Sequence, residues 1–239
     1  MPSDTHRSAH VRPLPGSTLG AGVLVGAAFV ILAALVATRH GPPGVDTSLG
    51  RLVDARAGSS TFKLGTVGSF IGHGPVVALT ALVVGAYLLY RTRELFLAAA
   101  VPAAPAVAGV LELATKHLVK RPRPPTARLT GKSGFGFPSG HTTGFTAMAV
   151  ALVAVLAILV FHNRQVIVAA IAAAITSIVV AVSRLLVGAH WATDVIGGLL
   201  LGATVGIAMV EVAVFARPRA LAIHRRVPGF EEDGVSAHR

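Results

Sequence analysis

Residues 183–194, SRLLVGAHWATD, place an arginine, a histidine and an aspartate at the junction of two long apolar runs. Ionisable side chains cost free energy near hydrocarbon, so at such a position they are functional candidates. His190 and Asp194 are four residues apart, so on a helix they share one face and the carboxylate can orient the imidazole. Arg184 offers a planar fork of donors that suits a phosphate. The stretch therefore predicts phosphate chemistry at a membrane surface.

A basic cluster, residues 116–124 (KHLVKRPRP), ends the third apolar run. Lys116 and Arg123 bring positive charge against a group that carries up to two negative charges. Glu112 precedes Lys116 by four residues and either keeps it charged through a helical ion pair or is hydrogen-bonded elsewhere. Four more cations are interpreted first as surface-flanking charges and second as a site for another phosphate or an anionic headgroup: Lys120, Arg121, Arg128 and Lys132.

A third polar cluster, residues 137–142 (FPSGHT), opens the fourth apolar run. Ser139 and Gly140 begin a helix, and the N–H groups and dipole at a helix N-terminus favour an anion. Gly140 lets the backbone approach closely, and the Ser139 hydroxyl can donate or cap. With His141 and His190, one histidine can attack phosphorus while the other protonates the departing oxygen.

The composition is that of an integral membrane protein. Of 239 residues, 53% are hydrophobic and only 13% are charged, whereas soluble domains carry about a quarter charged residues. The net charge of +11 is explained by cations that flank apolar segments, and the scarcity of tryptophan and tyrosine argues against nucleic-acid binding. Because the chain contains no cysteine, disulfides and thiolate metal sites are excluded.

Six apolar segments are close to the roughly 20 residues that span a bilayer. The expected fold is an all-α bundle of six transmembrane helices, with short interfacial helices in the polar connection between the first two spans. The first span is expected to stay as an anchor rather than be cleaved as a signal peptide. The second can extend backwards through residues 67–71. The predicted spans are 19–37, 75–90, 95–119, 142–161, 166–187 and 192–215.

The span count puts all three polar clusters on one face of the membrane. Once their cations are set aside, the remaining lysines and arginines place both termini in the cytoplasm, so the candidate active site faces outward. The predicted organisation is a cytoplasmic N-terminal segment over residues 1–16, a six-span domain over 17–216 and a cytoplasmic, disordered tail over 217–239. Gly198, Gly202 and Gly206 repeat every four residues and predict close packing within the bundle rather than a dimer interface.

Together the three clusters resemble the signature of the type 2 phosphatidic acid phosphatase superfamily: K-x(6)-R-P, then P-S-G-H, then S-R-x(5)-H-x(3)-D. Every defining position is filled, and the signature covers about 80 residues. Each part alone is common, but the combination is specific. The matching residues are Lys116, Arg123 and Pro124, then Pro138, Ser139, Gly140 and His141, then Ser183, Arg184, His190 and Asp194.

The resemblance implies a role for each matching residue. His190 would be the nucleophile that forms a phosphohistidine, Asp194 would orient it, and His141 would protonate the leaving group and then activate water. The phosphate would be held by five residues: Lys116, Arg123, Ser139, Gly140 and Arg184. Members of this family need no metal or other cofactor, and a site with Asp194 as its sole carboxylate agrees with that expectation.

The expected activity is hydrolysis of a lipid phosphate or diphosphate in a prokaryotic cell membrane, with membrane lipids as the surroundings. An undecaprenyl-type polyprenyl diphosphate is the first expected substrate, with phosphatidylglycerophosphate or phosphatidic acid as the alternative. Two other readings stay open: transfer of the phosphoryl group to an acceptor lipid, and a lipid-binding or transport protein with a vestigial site. The oligomeric state is left unspecified.

Overall fold

The computed structural model describes residues 16–39, 42–53, 57–131, 133–159 and 163–224, which form helices and loops with no strand among them. Six helical stretches are long and apolar enough to cross a membrane, as predicted. A short 3₁₀ helix, Pro125–Thr130, lies between the fifth and sixth α-helices. The α-helices are α1 Gly16–Thr38, α2 Gly44–Val53, α3 Ser60–Ile71, α4 Gly74–Thr92, α5 Leu95–Val119, α6 Gly140–Leu159, α7 Asn163–Leu186 and α8 Ala192–His224.

The two ends of the chain fall largely outside the described residues. Residues 1–15 of the predicted N-terminal segment and 225–239 of the predicted tail are not among them. Helix α8 continues through residues 217–224, which the sequence analysis placed in the tail. The alanines and leucine of this stretch favour a helix, so the change from apolar to basic residues does not end it. The division into three segments remains a prediction.

Helix α8 packs on α6 through the predicted glycine stripe. A Cβ atom at Gly202 would lie 2.6 Å from the carbonyl oxygen of Thr143, and one at Gly206 would lie 2.8 Å from that of Ala147. Gly198 makes the same approach one turn earlier, against Ser139 and the side chain of Thr142. Contacts this close require residues without a side chain. The interpretation of the stripe as packing within the bundle is confirmed.

The second span is not one helix. Helix α3 ends at Ile71, and α4 starts at Gly74 with Pro75 in its first turn. The backward extension through residues 67–71 therefore belongs to a separate helix. The physical reason is local: Pro75 has no N–H to continue a hydrogen-bond ladder and disfavours helical geometry in the residue before it.

Helix α3 packs against the last two turns of α7. Gly65, Gly68 and Gly72 face α7, and a Cβ atom on Gly68 would lie 2.8 Å from the Cβ of Ser183. Ser69, on the same helix, is buried and reaches Ser183 with its hydroxyl. The connection between the first two spans thus supplies two short helices, α2 and α3, as predicted, and α3 brings a polar side chain into the bundle.

The bundle has two polar ends. At one end lie the C-termini of α5 and α7 and the N-termini of α6 and α8, which carry the three clusters of the sequence. At the other end, Arg217 of α8 donates two hydrogen bonds to Glu94, which precedes α5: Nε to Oε2 at 2.6 Å and Nη2 to Oε1 at 2.5 Å. The expected gathering of the three clusters at one end is therefore observed.

Candidate active site

His190 and Asp194 occupy the turn into α8 and its first turn. The Nδ1 atom of His190 lies 3.4 Å from Oδ2 of Asp194, and the backbone N–H of Trp191 donates to the same oxygen at 3.0 Å. His190 is 5% exposed and Asp194 is fully buried. The predicted contact between imidazole and carboxylate is therefore observed, but the two residues do not share a helix face: His190 lies in the bend before α8, and only Asp194 is on the helix.

Arg123 contacts the other ring nitrogen of His190. Its Nη1 lies 2.9 Å from Nε2 of His190 and donates to the carbonyl oxygen of Ala189 at 3.0 Å. Because a guanidinium can only donate, Nε2 must be the accepting nitrogen. His190 is therefore neutral with its proton on Nδ1, directed at Asp194, and its Nε2 lone pair points toward a cation.

The surroundings of His190 keep it neutral. Burial lowers the pKa of His190 from its ordinary value of 6.5 to about 4; Asp194 acts in the opposite direction, and the charges of Arg123 and Arg184 act in the same direction as burial. A neutral imidazole retains the lone pair that a nucleophile needs.

Two arginines beside His190 carry unused donors. The Nε atoms of Arg123 and Arg184 are buried and have no hydrogen-bond partner in the described part of the chain. Arg184 is held in place by Ser69, whose Oγ accepts from its Nη1 at 2.6 Å. A buried donor without a partner costs free energy, typically about 1–3 kcal/mol, and more for a charged group. An anion with several oxygens would satisfy both arginines.

Ser139 is fully buried but is not free to donate its backbone N–H to a ligand. That N–H donates to the backbone oxygen of Asp194 at 2.9 Å, and Thr142 donates its hydroxyl to Ser139 Oγ at 3.1 Å. The Ser139 N–H thus ties the start of α6 to the start of α8, and the role of Ser139 and Gly140 in holding a phosphate remains a prediction. Gly140 follows as the first residue of α6, and its Cβ position would lie 2.8 Å from Oε1 of Glu112.

Lys116 forms the predicted ion pair with Glu112, one helical turn away on α5. Both side chains are largely buried, at 16% and 14% exposure. In the part of the chain that is described, no hydrogen bond joins Lys116 to His190 or Asp194. Lys116 thus lies on the α5 side of the site, next to the start of α6, rather than beside the candidate nucleophile.

His141 lies in the first turn of α6, with its ring centre 6.0 Å from that of His73. It borders a cavity of about 460 Å³ between α4, α5 and α6. Apart from Glu112 and His141, the cavity is lined by apolar and small residues: Gly72, Gly74, Val77, Ala78, Leu82, Pro102, Pro105, Ala106, Gly109, Gly140 and Gly144. A polar site therefore adjoins an apolar space.

Arg121 is not the surface-flanking charge that the sequence predicts. It is 7% exposed, and its Nη1 donates to Oδ1 of Asp194 at 2.6 Å. Helix α5 ends in the left-handed conformation of Lys120, which turns the next residue inward. Arg121 also contacts Asp46 of α2, a residue that the sequence analysis did not connect with the site. Neither residue lies at a spacing that pattern analysis could relate to His190.

The loop before α6 is anchored around the site. Phe137 is fully buried, stacks on Phe29 of α1 with 6.1 Å between ring centres, and contacts Gly197 of α8. Gly136 donates its N–H to the carbonyl oxygen of Arg121 at 2.8 Å. A Cβ atom on Gly136 would lie 2.9 Å from Oδ2 of Asp194, so this glycine is part of the wall of the site.

The described residues contain no group of three histidine, cysteine or acidic side chains placed to hold a metal ion. Asp194 already accepts from Arg121 and the Trp191 N–H. Metal independence remains a prediction.

Comparison with known proteins places the chain in a family. The model of the PAP2 superfamily matches residues 93–218, just over half of the sequence. The chain belongs to the PAP2 superfamily. The resemblance drawn from the three clusters is therefore confirmed.

Two relatives of this PAP2 protein come from Bacillus subtilis. Phosphatidylglycerophosphatase B of strain 168 is 36% identical over 97 residues, which are 39% of this chain and 46% of that protein. The match thus spans about half the length of the curated relative. The crystal structure of a transmembrane PAP2-type phosphatidylglycerolphosphate phosphatase has a TM-score of 0.70 at 21% identity, covering 83% of this chain and 96% of that one. This second likeness shows the shared fold.

Some residues of the candidate site lie inside the segment that matches the PAP2 model, and others lie outside it. All the signature residues fall within 93–218, whereas Asp46 and Ser69 lie before it. Asp46 contacts Arg121, and Ser69 holds Arg184. Helices α2 and α3 thus contribute contacts to a candidate site whose signature residues all come from the matched half.

Proposed function

We propose that this PAP2 protein hydrolyses a lipid phosphate through a phosphohistidine formed on His190. One observation carries the proposal: the Nε2 lone pair of a buried, neutral His190 faces Arg123, and the Nε donors of Arg123 and Arg184 are unpaired among the described residues. A phosphoryl group that displaces Nη1 of Arg123 from Nε2 would meet the nucleophile on one side, and the donors of Arg123 and Arg184 would surround its oxygens. Such charge stabilises a phosphoryl-transfer transition state.

The reaction takes place in two displacements. Nε2 attacks phosphorus, the bond from phosphorus to the leaving oxygen breaks, and His141 gives that oxygen its proton. Asp194 accepts the Nδ1 proton in a hydrogen bond and stabilises the cationic ring. Water then attacks the phosphohistidine, the P–N bond breaks, and His141 takes the proton of the water, which restores both histidines and releases inorganic phosphate.

A phosphate monoester of the phosphatidylglycerophosphate type is the substrate that we place first. The name of the Bacillus relative favours it, and the apolar cavity beside His141 suits an acyl chain. Arg121, one of the cations considered for a second phosphate, is instead occupied by two carboxylates. The undecaprenyl-type diphosphate expected from the sequence is therefore the second candidate, and phosphatidic acid is the third.

The test is phosphate release by purified protein in detergent from each of these three lipids, measured with and without EDTA. We expect release with the monoester fastest, and we expect His190→Ala to abolish it while the protein stays folded. A labelled phosphate that appears on an acceptor lipid would support phosphotransfer instead. Phosphate release that survives in His190→Ala would refute His190 as the nucleophile. Inhibition by EDTA would refute metal independence. Folded wild-type protein without activity on any lipid would support a lipid-binding or transport protein with a vestigial site.

We further propose that the site faces the extracytoplasmic side of a prokaryotic cell membrane. The chain has no cysteine, so single-cysteine variants can be labelled cleanly. Arg128 lies in the 3₁₀ helix at the site end, and Arg93 lies between α4 and α5 at the opposite end; both are exposed. In intact cells, an impermeant maleimide should label Arg128→Cys but not Arg93→Cys. The reverse pattern would place the site in the cytoplasm.

A further inference from the structure

Asp46 is a buried carboxylate in a connecting helix. It lies in the first turn of α2, before the part of the chain that matches the PAP2 family, and it is 1% exposed. An ionised carboxylate is retained in such surroundings only when donors compensate its desolvation. The identity of those donors indicates what the residue does.

The donors to Asp46 come from two parts of the candidate site. Oδ1 accepts the backbone N–H of Thr193 at 2.9 Å, and Oδ2 accepts the Thr193 hydroxyl at 2.8 Å. Oδ2 also accepts from Nη2 of Arg121 at 2.5 Å. Asp46 therefore joins α2 to the first turn of α8 and to the residue that follows α5.

Arg121 connects Asp46 to the reacting groups. Its Nη1 donates to Asp194 Oδ1 and to the Thr193 hydroxyl, both at 2.6 Å. With Oδ1 held by Arg121, Oδ2 of Asp194 is directed at the Trp191 N–H and at Nδ1 of His190. The orientation of the imidazole thus depends on a chain of contacts that begins at Asp46.

The charges of this cluster add up to one negative unit. Asp46 and Asp194 contribute two negative charges and Arg121 one positive charge. Without Asp46, Arg121 and Asp194 would form a neutral pair, and less negative charge would remain to stabilise a cationic His190. Besides Asp194, the charges that act directly on His190 are Arg123 and Arg184, and both are positive. Asp46 is therefore the charge that offsets Arg121.

We propose that Asp46 is a positioning residue of this site: through Arg121 and Thr193 it orients Asp194, and its charge offsets that of Arg121, so that Asp194 can stabilise the cationic phosphohistidine. This inference rests on the proposed function. It assigns α2, a helix outside the matched family segment, a role in the rate of the reaction rather than in substrate binding.

The first test is Asp46→Asn, which keeps the shape of the side chain and removes its charge. We expect kcat to fall about 10- to 100-fold, the range typical when the outer partner of a reactive group is removed, while KM changes by less than about threefold because Asp46 does not touch the phosphate. The rate of phosphoenzyme formation, measured by rapid quench, should fall by the same factor as kcat.

A second variant separates charge from folding. Asp46→Asn combined with Arg121→Met removes one charge of each sign, so the cluster keeps the net negative charge of the wild type. We expect this double variant to be faster than Asp46→Asn and to recover part of the lost kcat, because the net charge beside His190 is restored although the contact of Arg121 with Asp194 is lost. If Asp46→Asn does not fold, the double variant is measured against the wild type, and a kcat within about tenfold of wild type is expected.

The matched control is Glu94→Gln, which removes a carboxylate from an arginine pair at the other end of the bundle. It should lower thermal stability without changing kcat. A wild-type kcat in Asp46→Asn would overturn the proposal, and so would a double variant that is no faster than the single one. Where only the double variant folds, a kcat more than tenfold below that of the wild type would overturn it. Activity of His190→Ala equal to wild type would instead overturn the proposed function, so the two failures are distinguishable.

Discussion

The two ends of the bundle use the same pair of groups, arginine and carboxylate, in different ways. At the site end, Arg121 is 7% exposed and bridges two fully buried carboxylates, one of which contacts His190. At the opposite end, Arg217 and Glu94 are 25% and 18% exposed and pair with each other. The second pair fastens α8 to the start of α5. The difference between the two ends is that the Arg121 cluster connects onward to a histidine, His190, whereas the pair of Arg217 and Glu94 joins only two segments of the bundle.

The largest effect is expected from Asp194→Asn. Two donors, the Trp191 N–H and His190 Nδ1–H, face Oδ2 of Asp194, and an amide NH₂ there would repel both. His190 would then carry its proton on Nε2, where the nucleophilic lone pair is needed. We expect phosphate release to fall about 10³- to 10⁴-fold, as when an orienting aspartate is lost from a catalytic triad. A loss below tenfold would remove Asp194 from the mechanism.

Arg123→Gln should have the next largest effect. The change removes the donor that faces His190 Nε2 and the unpaired Nε that would bind a phosphate oxygen. Losing one group that stabilises transition-state charge costs about 10²- to 10³-fold in kcat. Steady-state kinetics on the preferred lipid will measure the fall in kcat. Unchanged kcat with only a raised KM would mean that Arg123 binds the substrate without stabilising the transition state.

A smaller effect is expected from lowering the pH, because the pKa of His190 differs from that of an ordinary histidine. Because burial lowers its pKa to about 4, His190 should stay neutral from pH 7 down to pH 5 and gain its proton only near pH 4. Activity that depends on the lone pair should therefore survive at pH 5. Histidine ¹⁵N NMR of the substrate-free protein will give the pKa of His190. The signal of His190 is assigned by its absence in His190→Gln. A midpoint near 6.5 would contradict the burial of the site.

The smallest effect on activity is expected at the opposite end. Glu94→Gln weakens the contact with Arg217, and a partly exposed pair contributes up to about 1 kcal/mol. For a chain of this size, that corresponds to a fall in Tm of about 2–4 °C. The rate of phosphate release should remain that of the wild type. A large loss of activity would mean that the two ends are coupled and would remove the distinction drawn between them.

Most of the fold could be predicted because it depends on local signals. Long apolar runs give the six spans, and the glycine repeat of α8 gives its packing face against α6. The break between α3 and α4 was missed, although Pro75 carried the signal, because mean hydropathy is high on both sides of it. Hydropathy measures whether a segment prefers lipid, and it says little about whether the segment is one helix.

The site could be predicted in part, for a related reason. His190 and Asp194 are four residues apart, and the single turn of chain that leads into α8 brings them together, although His190 lies just before the helix. Asp46 and Arg121 are 75 residues apart, and Asp46 and Thr193 are 147 apart. Contacts at these separations arise from the packing of α2 against α7 and α8, which brings Asp46 to Thr193 and to Arg121 in the loop after α5. No local pattern encodes that packing, so a buried charge looked like a surface charge.

The most direct test of the account is capture of the phosphoenzyme. Purified protein would be mixed with a lipid whose phosphate is radioactively labelled, quenched in base within milliseconds, and digested to locate the label. The account predicts an alkali-stable, acid-labile phosphate on His190 that forms before free phosphate appears and is missing in His190→Ala. Turnover at a normal rate with no label on His190 would contradict it.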